Sequence, residues 1–176
     1  MLRYLASTAD LSLELGGREQ LSLLGFCDAD FAGDLDTRRS TTGYAFMLGR
    51  GAVSWSSKRQ PTVAVSTTEA EYMSAAYATK EALWLQLLLS ELGSTAQTIV
   101  IRADNQGAIR LLKNPVVSQR SKHIDVIYHF VREHVESQEV LFEYVSTHDM
   151  VADVLTKPVP KAKHELCCTE LGLAVI

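Results

Sequence analysis

The stretch "STTEAEYMSAAYATKEALWLQLLLSELG", residues 66–93, decides how the chain folds. Residues three, four, seven and eight apart share a helix face. On that spacing Glu71, Ala75, Ala78, Ala82, Leu85 and Leu89 form one small, apolar stripe of the kind that packs on a sheet. Ser66, Thr67 or Thr68 can cap the helix and Gly93 can stop it. Glu71 heads the stripe, so its carboxylate stands at the edge of the core or inside it, where a charge is costly unless something compensates it. The rest of the sequence is expected to hold that partner.

Upstream, "LSLLGFCD" (21–28) reads as a strand and "AGDLDTRRST" (32–41) as a polar loop. "TGYAFMLG" (42–49) and "AVSWSSK" (52–58) read as a hairpin about Arg50 and Gly51. Downstream come a β-branched strand, "TIVIRAD" (98–104), and a short helix, "NQGAIRLLK" (105–113), closed by Asn114 and Pro115. A helix "DVIYHFVREHVE" (125–136), a strand "EVLFEYVS" (139–146) and a last short helix "MVADVLTK" (150–157), ended by Pro158, complete the order. This is an α/β arrangement with a mixed five-stranded sheet: three antiparallel strands, then two that run parallel to a neighbour because helices separate them. Residues 1–20 are expected to be a leader, 21–158 the domain and 159–176 a C-terminal tail. Trp55 and Trp84, both in regular elements, are expected in the core.

At 176 residues the chain has the size of one well-cored domain. With 47% hydrophobic and 22% charged residues it is neither a disordered nor a membrane sequence by composition. The longest apolar run, Ala82 to Leu89, is broken by Gln86 and falls well short of the roughly 18 residues of a spanning helix. "MLRYLASTAD" lacks the apolar core of a signal peptide. Three cysteines, two of them the adjacent Cys167 and Cys168, make no disulfide framework, so a reducing, intracellular setting is expected rather than secretion. The net charge of −4 argues against a broad phosphate-binding surface. Basic residues nevertheless gather in two places, Arg38, Arg39, Lys58 and Arg59 in the first half, and Arg110, Lys113, Arg120, Lys122 and His123 in the second.

Four acids stand at element ends. Asp28 closes the first strand, Glu71 opens the long helix, Asp104 closes the fourth strand and Asp153 lies on the last short helix, each among apolar neighbours. If the first and fourth strands are neighbours, Asp28 and Asp104 project side by side, and such carboxylates repel and need a cation. Hard oxygen ligands suit Mg²⁺ or Mn²⁺, and two such ions about 3.5–4 Å apart clamp the attacking and leaving oxygens of a phosphodiester displacement. Taken singly, Asp28 and Asp104 also read as strand-end caps, Asp104 being placed to cap "NQGAIRLL"; four acids in place together favour a shared site. His123, His129 and His134, six and five apart, do not share a helix face as a zinc pair would.

Five ordered blocks, "CDADFAGDLDTRRSTTGY", "AVSWSSKRQPTVAVSTTEAEYMS", "IRADNQGAIRLLKNP", "RSKHIDVIYHFVRE" and "YVSTHDMVADVLTKP", resemble the ribonuclease H domain of copia-type LTR retrotransposon polyproteins, from about residue 22 to residue 160. "MLRYLASTADLSLELGG" is similar to the stretch that links the reverse transcriptase portion to that domain. The resemblance implies a ribonuclease H-like mixed sheet flanked by helices, and an Asp, Glu, Asp, Asp set that uses two Mg²⁺, with Mn²⁺ as a substitute, to hydrolyse the RNA strand of an RNA:DNA hybrid. By motif that set is Asp28 in "CDAD", Glu71 in "EAEYM", Asp104 in "ADNQ" and Asp153 in "VADVLTK". Asp30 and Glu69 are the alternatives, Asp30 keeping the strand face and Glu69 lying about 160° around the helix from Glu71. His148, five residues before Asp153, is the candidate proton shuttle, since cellular ribonucleases H carry a His in a loop ahead of the last Asp.

The same resemblance implies the reverse transcriptase region of one polyprotein as partner, and a location in cytoplasmic virus-like particles or the nucleus. Arg38, Arg39, Lys58, Lys122 and His123 are candidate nucleic-acid contacts. Arg38 and Arg39 read equally well as a solvated loop pair, and Lys122 or His123 as a helix-start ion pair with Asp125. Two other functions compete: a catalytically silent ribonuclease H-like binding or tethering module, and an integrase-type enzyme. The first gains nothing from clustered carboxylates; the second places its Glu after the second Asp, whereas Glu71 precedes Asp104.

Overall fold

Strand alternation separates two cores. In a strand, successive side chains point to opposite faces, and in "LLGFCDA" Phe26 joins one apolar cluster while Cys27 joins another. The computed structural model describes residues 2–17, 22–95, 97–113 and 122–175, with side chains in the last stretch from residue 126 onward. In chain order the elements are α1 (Leu2–Ser7), β1 (Leu11–Leu13), β2 (Leu23–Ala29), β3 (Thr41–Leu48), β4 (Gly51–Arg59), α2 (Thr67–Glu91), β5 (Ile99–Ala103) and α3 (Gln106–Lys113). There follow α4 (Lys122–Glu136), β6 (Val140–Tyr144), a 3₁₀ turn (Thr147–Asp149), α5 (Asp153–Thr156), α6 (Lys161–Glu170) and β7 (Leu173–Val175). The five-stranded sheet has the order β4-β3-β2-β5-β6, with β2, β3 and β4 antiparallel and β5 and β6 parallel additions, as the element order predicts.

One face of the sheet is covered by α2, α3 and α4, where Cys27, Phe46, Ile99, Ile101 and Phe142 meet the Ala75, Ala78, Ala82 and Leu85 stripe of α2. Those alanines let the helix lie close to the strands. Tyr72 of α2 stacks on Tyr128 of α4 with ring centroids 3.7 Å apart, and its hydroxyl donates to the Tyr128 carbonyl at 3.2 Å. The opposite face carries Phe26, Met47, Ala52, Met150, Val151, Ala152 and Cys167. Ser66 caps α2 by accepting from the Glu69 N–H at 3.2 Å, and the Glu69 carboxylate reaches back to the Val65 N–H at 3.0 Å. This is a near relative of the capping box. The helix stops as the sequence predicts, at Leu92 and Gly93, the glycine at φ +86°.

Three expectations need correction. Trp55 and Trp84 are both more than half exposed. Trp84 and Leu87 stand on the side of α2 turned away from the sheet, roughly opposite the Ala78, Ala82 and Leu85 stripe, and Leu92 follows the helix end. Trp55 stands on β4, the edge strand, beside an apolar groove that Leu13, Leu155, Leu171 and Leu173 line without covering its ring. The last helix is also not the one at 150–157: α5 is shorter, and α6 follows it within the segment expected to be tail. Finally, α4 opens at Lys122, three residues earlier than the apolar period indicates.

The two chain ends meet. β1 and β7 pair antiparallel from Leu11↔Val175 to Leu13↔Leu173, and this small sheet is tied to the β3–β4 hairpin by Arg50 N–H to Gly16 C=O at 3.0 Å and Ala52 N–H to Leu171 C=O at 3.0 Å. Gly172, at φ +85°, lies so close that a Cβ would come within 2.4 Å of the Arg50 carbonyl oxygen. On the same side Gly43 of β3 faces α5, and a Cβ there would come within 2.6 Å of Thr156 Cγ2 and 2.9 Å of Leu155 Cβ.

Two outcomes are expected in urea unfolding monitored by circular dichroism. Gly43→Val is destabilised by about 1–3 kcal/mol because α5 must lift off the sheet. A chain cut to residues 21–158 loses about 2–5 kcal/mol, the cost typical of emptying a core position, since Cys167 leaves the cluster of Phe26 and Met150.

Candidate active site

Register brings the carboxylates together. β2 and β5 run parallel with Leu24↔Val100 and Phe26↔Arg102, so two further residues along each strand bring Asp28 level with Asp104. Both lie two residues beyond a side chain on the α5 face, and α5 is held against that face at Gly43, which pairs with Asp28 across β2 and β3. Asp153 opens α5 and is thereby delivered to the same point. One oxygen from each of Asp28, Asp104 and Asp153 lies within 4.8 Å of the other two; Asp28 and Asp153 are buried and Asp104 is half-buried. Glu71 enters from the first turns of α2, on the other side of the sheet end. It is only 8% exposed, and its Oε2 has no hydrogen-bond partner among the described residues.

Burial is the largest cause that raises the Glu71 carboxyl to about 9, followed by the charges of Asp28 and Asp104; the Ala29 amide and Lys157 act the other way. Burial likewise raises Asp28, against the lowering effects of a hydrogen bond from Thr156 Oγ1 and of the Lys157 charge. Two lysines offset the negative charge. Lys157 Nζ lies 2.8 Å from Asp153 Oδ1 and 3.5 Å from Asp28 Oδ2, and Lys163 Nζ lies 3.6 Å from Asp153 Oδ2. Ser74 of α2 donates to the Asp28 carbonyl at 2.7 Å, which locks the helix to the strand end. Thr147 Oγ1 donates to Asp104 Oδ2 at 2.8 Å.

These donors fit a hard divalent cation. They are oxygens, they crowd within one ion's reach of each other, and a buried carboxylate oxygen is left without a proton donor. A buried acidic cluster of this kind is compatible with divalent-metal binding.

The two alternative acids have hydrogen-bond partners of their own. Asp30 accepts from the Thr41 N–H and so belongs to the loop; Glu69 is part of the α2 cap. Asp104 does not cap α3, because Asn105 Oδ1 accepts from the Ala108 N–H at 2.9 Å. Arg38, at φ +55°, and Arg39 are exposed on the β2–β3 loop, in a turn organised by Asp34, whose backbone carbonyl accepts from the Arg38 N–H at 2.8 Å. Lys58 is exposed on β4, paired with Thr42, the residue opposite Ala29. Lys122 and His123 open α4, and their side chains lie outside the described residues. His148 is exposed in the 3₁₀ turn, with Nδ1 2.9 Å from Asp149 Oδ1, one residue from the Thr147 that touches Asp104.

Sequence reasoning missed Thr156, Lys157, Thr147 and Lys163. For Lys157 a signal existed, since it follows Asp153 by four residues in "ADVLTK", the spacing of a helical ion pair. Lys163 comes from the expected tail and carried none.

The chain can now be set beside known proteins. No protein-family model matches it. It is 47% identical over 173 residues to the retrovirus-related Pol polyprotein from transposon TNT 1-94 of Nicotiana tabacum, covering 98% of this chain and 13% of that protein. It is 44% identical over 174 residues to the Pol polyprotein from transposon RE1 of Arabidopsis thaliana, covering 98% of this chain and 12% of that protein. The chain thus spans about an eighth of the length of these relatives. Among solved structures, LC11-RNase H1, isolated from compost, superposes with a TM-score of 0.58 at 14% identity over 78% of this chain and 94% of its own. The N-terminal RNase H domain of rv2228c from Mycobacterium tuberculosis superposes with a TM-score of 0.57 at 13% identity over 83% of this chain and 98% of its own. LC11-RNase H1 has also been solved in complex with an RNA/DNA hybrid. Its sheet thus has the ribonuclease H-like fold, and along 98% of its length the chain is homologous to one segment of the retrovirus-related Pol polyproteins of plant transposons.

Proposed function

We propose that the chain is a metal-dependent endonuclease that hydrolyses the RNA strand of RNA:DNA hybrids during retrotransposon reverse transcription. The observation that carries this is the convergence of Asp28, Asp104 and Asp153 oxygens within 4.8 Å beside the unpartnered Glu71 oxygen. Asp28, Glu71, Asp104 and Asp153 would hold two Mg²⁺, with Mn²⁺ able to substitute. Ions held there would supply an activated water and charge stabilisation for the departing 3′ oxygen, chemistry that leaves a 5′ phosphate and a 3′ hydroxyl.

The chain's own groups do the rest. Thr156 and Ser74 hold Asp28 from its side chain and its carbonyl, and Thr147 orients Asp104. Exposed Arg38, Arg39 and Lys58 sit at the same end of the sheet and meet the hybrid backbone, as Lys122 and His123 do from α4. RNA is told from DNA by its 2′-hydroxyls in the minor groove rather than by sequence. His148, exposed and one residue from Thr147, moves protons to and from solvent. The reverse transcriptase region of the same polyprotein is the partner, and the setting is intracellular, in cytoplasmic particles or the nucleus. Among the described residues no helix is long and apolar enough to cross a membrane.

A second reading, a catalytically silent tethering module, draws on one observation: Lys157 already places a positive charge between Asp28 and Asp153.

Cleavage of a labelled RNA strand in a hybrid, with Mg²⁺, Mn²⁺ or EDTA, separates the two. Metal-dependent cutting of RNA only in the hybrid is expected, with Asp28→Asn and Glu71→Gln each lowering the rate on the order of 100-fold or more. A folded protein that cuts nothing, with or without the upstream polymerase region, establishes the silent module. A pH dependence follows from Glu71. Its carboxyl is raised from 4.5 to about 9 in the folded protein, so between those values the folded state binds a proton that the unfolded state does not. The contribution of Glu71 to the stability of the metal-free protein is therefore full below about pH 4.5 and is lost as pH rises through about 9. Thermal melts in EDTA are expected to show this decline, and Glu71→Gln is expected to flatten it.

A further inference from the structure

Lys157 is the first residue past α5, with extended backbone at φ −147° and ψ 156°, and its N–H donates to the Asp153 carbonyl at 3.1 Å. The backbone is fixed, and the side chain folds back so that Nζ lies 2.8 Å from Asp153 Oδ1 and 3.5 Å from Asp28 Oδ2. Its accessibility differs from that of its partners. The Lys157 side chain is 38% exposed, whereas those of Asp28 and Asp153 are 1% and 4%. Lys163 contrasts with it: 15% exposed, 3.6 Å from Asp153, its Nζ donates to the Thr147 carbonyl at 2.9 Å and the His148 carbonyl at 2.5 Å. The cluster thus has one lysine pinned by backbone carbonyls and one on a flexible stem that opens to solvent.

Resting on the metal-site reading above, we propose that Lys157 is a releasable internal cation, which neutralises Asp28 and Asp153 when no divalent ion is bound and swings out to solvent as one binds. The physical reason is exclusion. A divalent ion that these carboxylate oxygens would hold and an ammonium ion-paired with the same two carboxylates repel at close range, where solvent screens little. Both carboxylates are held by burial, and Asp28 also by the hydrogen bond from Thr156, so the lysine is the group that moves. Lys157 is a positioning residue: it sets how strongly the site takes ions and keeps like charges from driving α5 off the sheet when none is present. The short i, i+4 spacing to Asp153 lets one turn of chain carry both the ligand and its counter-ion.

The test is calorimetric titration of Mn²⁺ into the wild-type chain, Lys157→Met and Lys157→Arg, with thermal melts of each in EDTA and in saturating Mn²⁺. Lys157→Met is expected to bind Mn²⁺ about tenfold more tightly, the size of one modest charge interaction. It should also melt lower than wild type in EDTA, with the gap closing in Mn²⁺, while Lys157→Arg stays near wild type. Equal or weaker Mn²⁺ binding by Lys157→Met overturns the proposal. Should Lys157→Met not fold, amine labelling of the wild-type chain read by mass spectrometry decides: Mn²⁺ is expected to increase modification of Lys157 and leave Lys161, 89% exposed, unchanged. Unchanged Lys157 labelling overturns the proposal as well. The two readings fail differently: no Mn²⁺ binding by any of the three proteins sinks the metal site and the release together, whereas equal binding by all three sinks the release alone.

Discussion

The parallel pairing of β2 with β5 is the constraint on which the rest of the molecule depends. It sets Asp28 level with Asp104 at the end of a sheet, and a parallel neighbour can arise only through a crossover long enough to carry a helix. That crossover contains α2, whose alanine stripe lets it lie close on the strands and whose first turns deliver Glu71 to the same sheet end. One pairing therefore accounts for three of the four acids. The fourth, Asp153, depends on a second close approach, of α5 onto Gly43, which is itself the partner of Asp28 across β3.

Such a concentration of carboxylates works against the fold that holds it. Burial, and after it the charges of neighbouring carboxylates, raise the protonation equilibria of such groups, as at Glu71, beside Asp28 and Asp104, and at Asp28, beside Asp153 and Asp104. The chain offsets the repulsion locally, with Thr156 and Lys157 from the end of α5 and Lys163 from α6. These groups come from the last part of the sequence, so the C-terminal segment is part of the site's electrostatics as well as a cover for the Phe26 and Met150 core. It also closes the molecule on itself, since β7 pairs with β1 from the opposite end of the chain.

Much of this was legible without coordinates. Period-2 and period-3.6 patterns report which face of a residue's own element is apolar, and that information is local, so the strands, α2 with its Ser66 and Gly93 ends, and the mixed sheet could be read directly. The four acids stood out because each sits at an element end among apolar residues. Trp84 was misread because membership of a regular element was taken for burial, although its spacing puts it off the alanine stripe, and Trp55 because period reports a face, not how fully an edge strand is covered. Helix α6 was missed because "KAKHELCCTE" forms no clear apolar stripe.

By itself, then, the sequence determined the strands of the main sheet, the long helix, their order, the parallel character of the last two strands and the placing of Asp28, Glu71, Asp104 and Asp153 at element ends, because all of these follow from spacing along the chain. Tertiary structure alone decided which oxygens converge, that Asp30 and Glu69 are spent on a loop and a cap, and that Lys157 and Lys163 stand beside Asp153. Those facts depend on register across β2 and β5, on the absence of a Cβ at Gly43, and on a tail that returns to the site, and each is a relation between residues too far apart in sequence for any local pattern to encode.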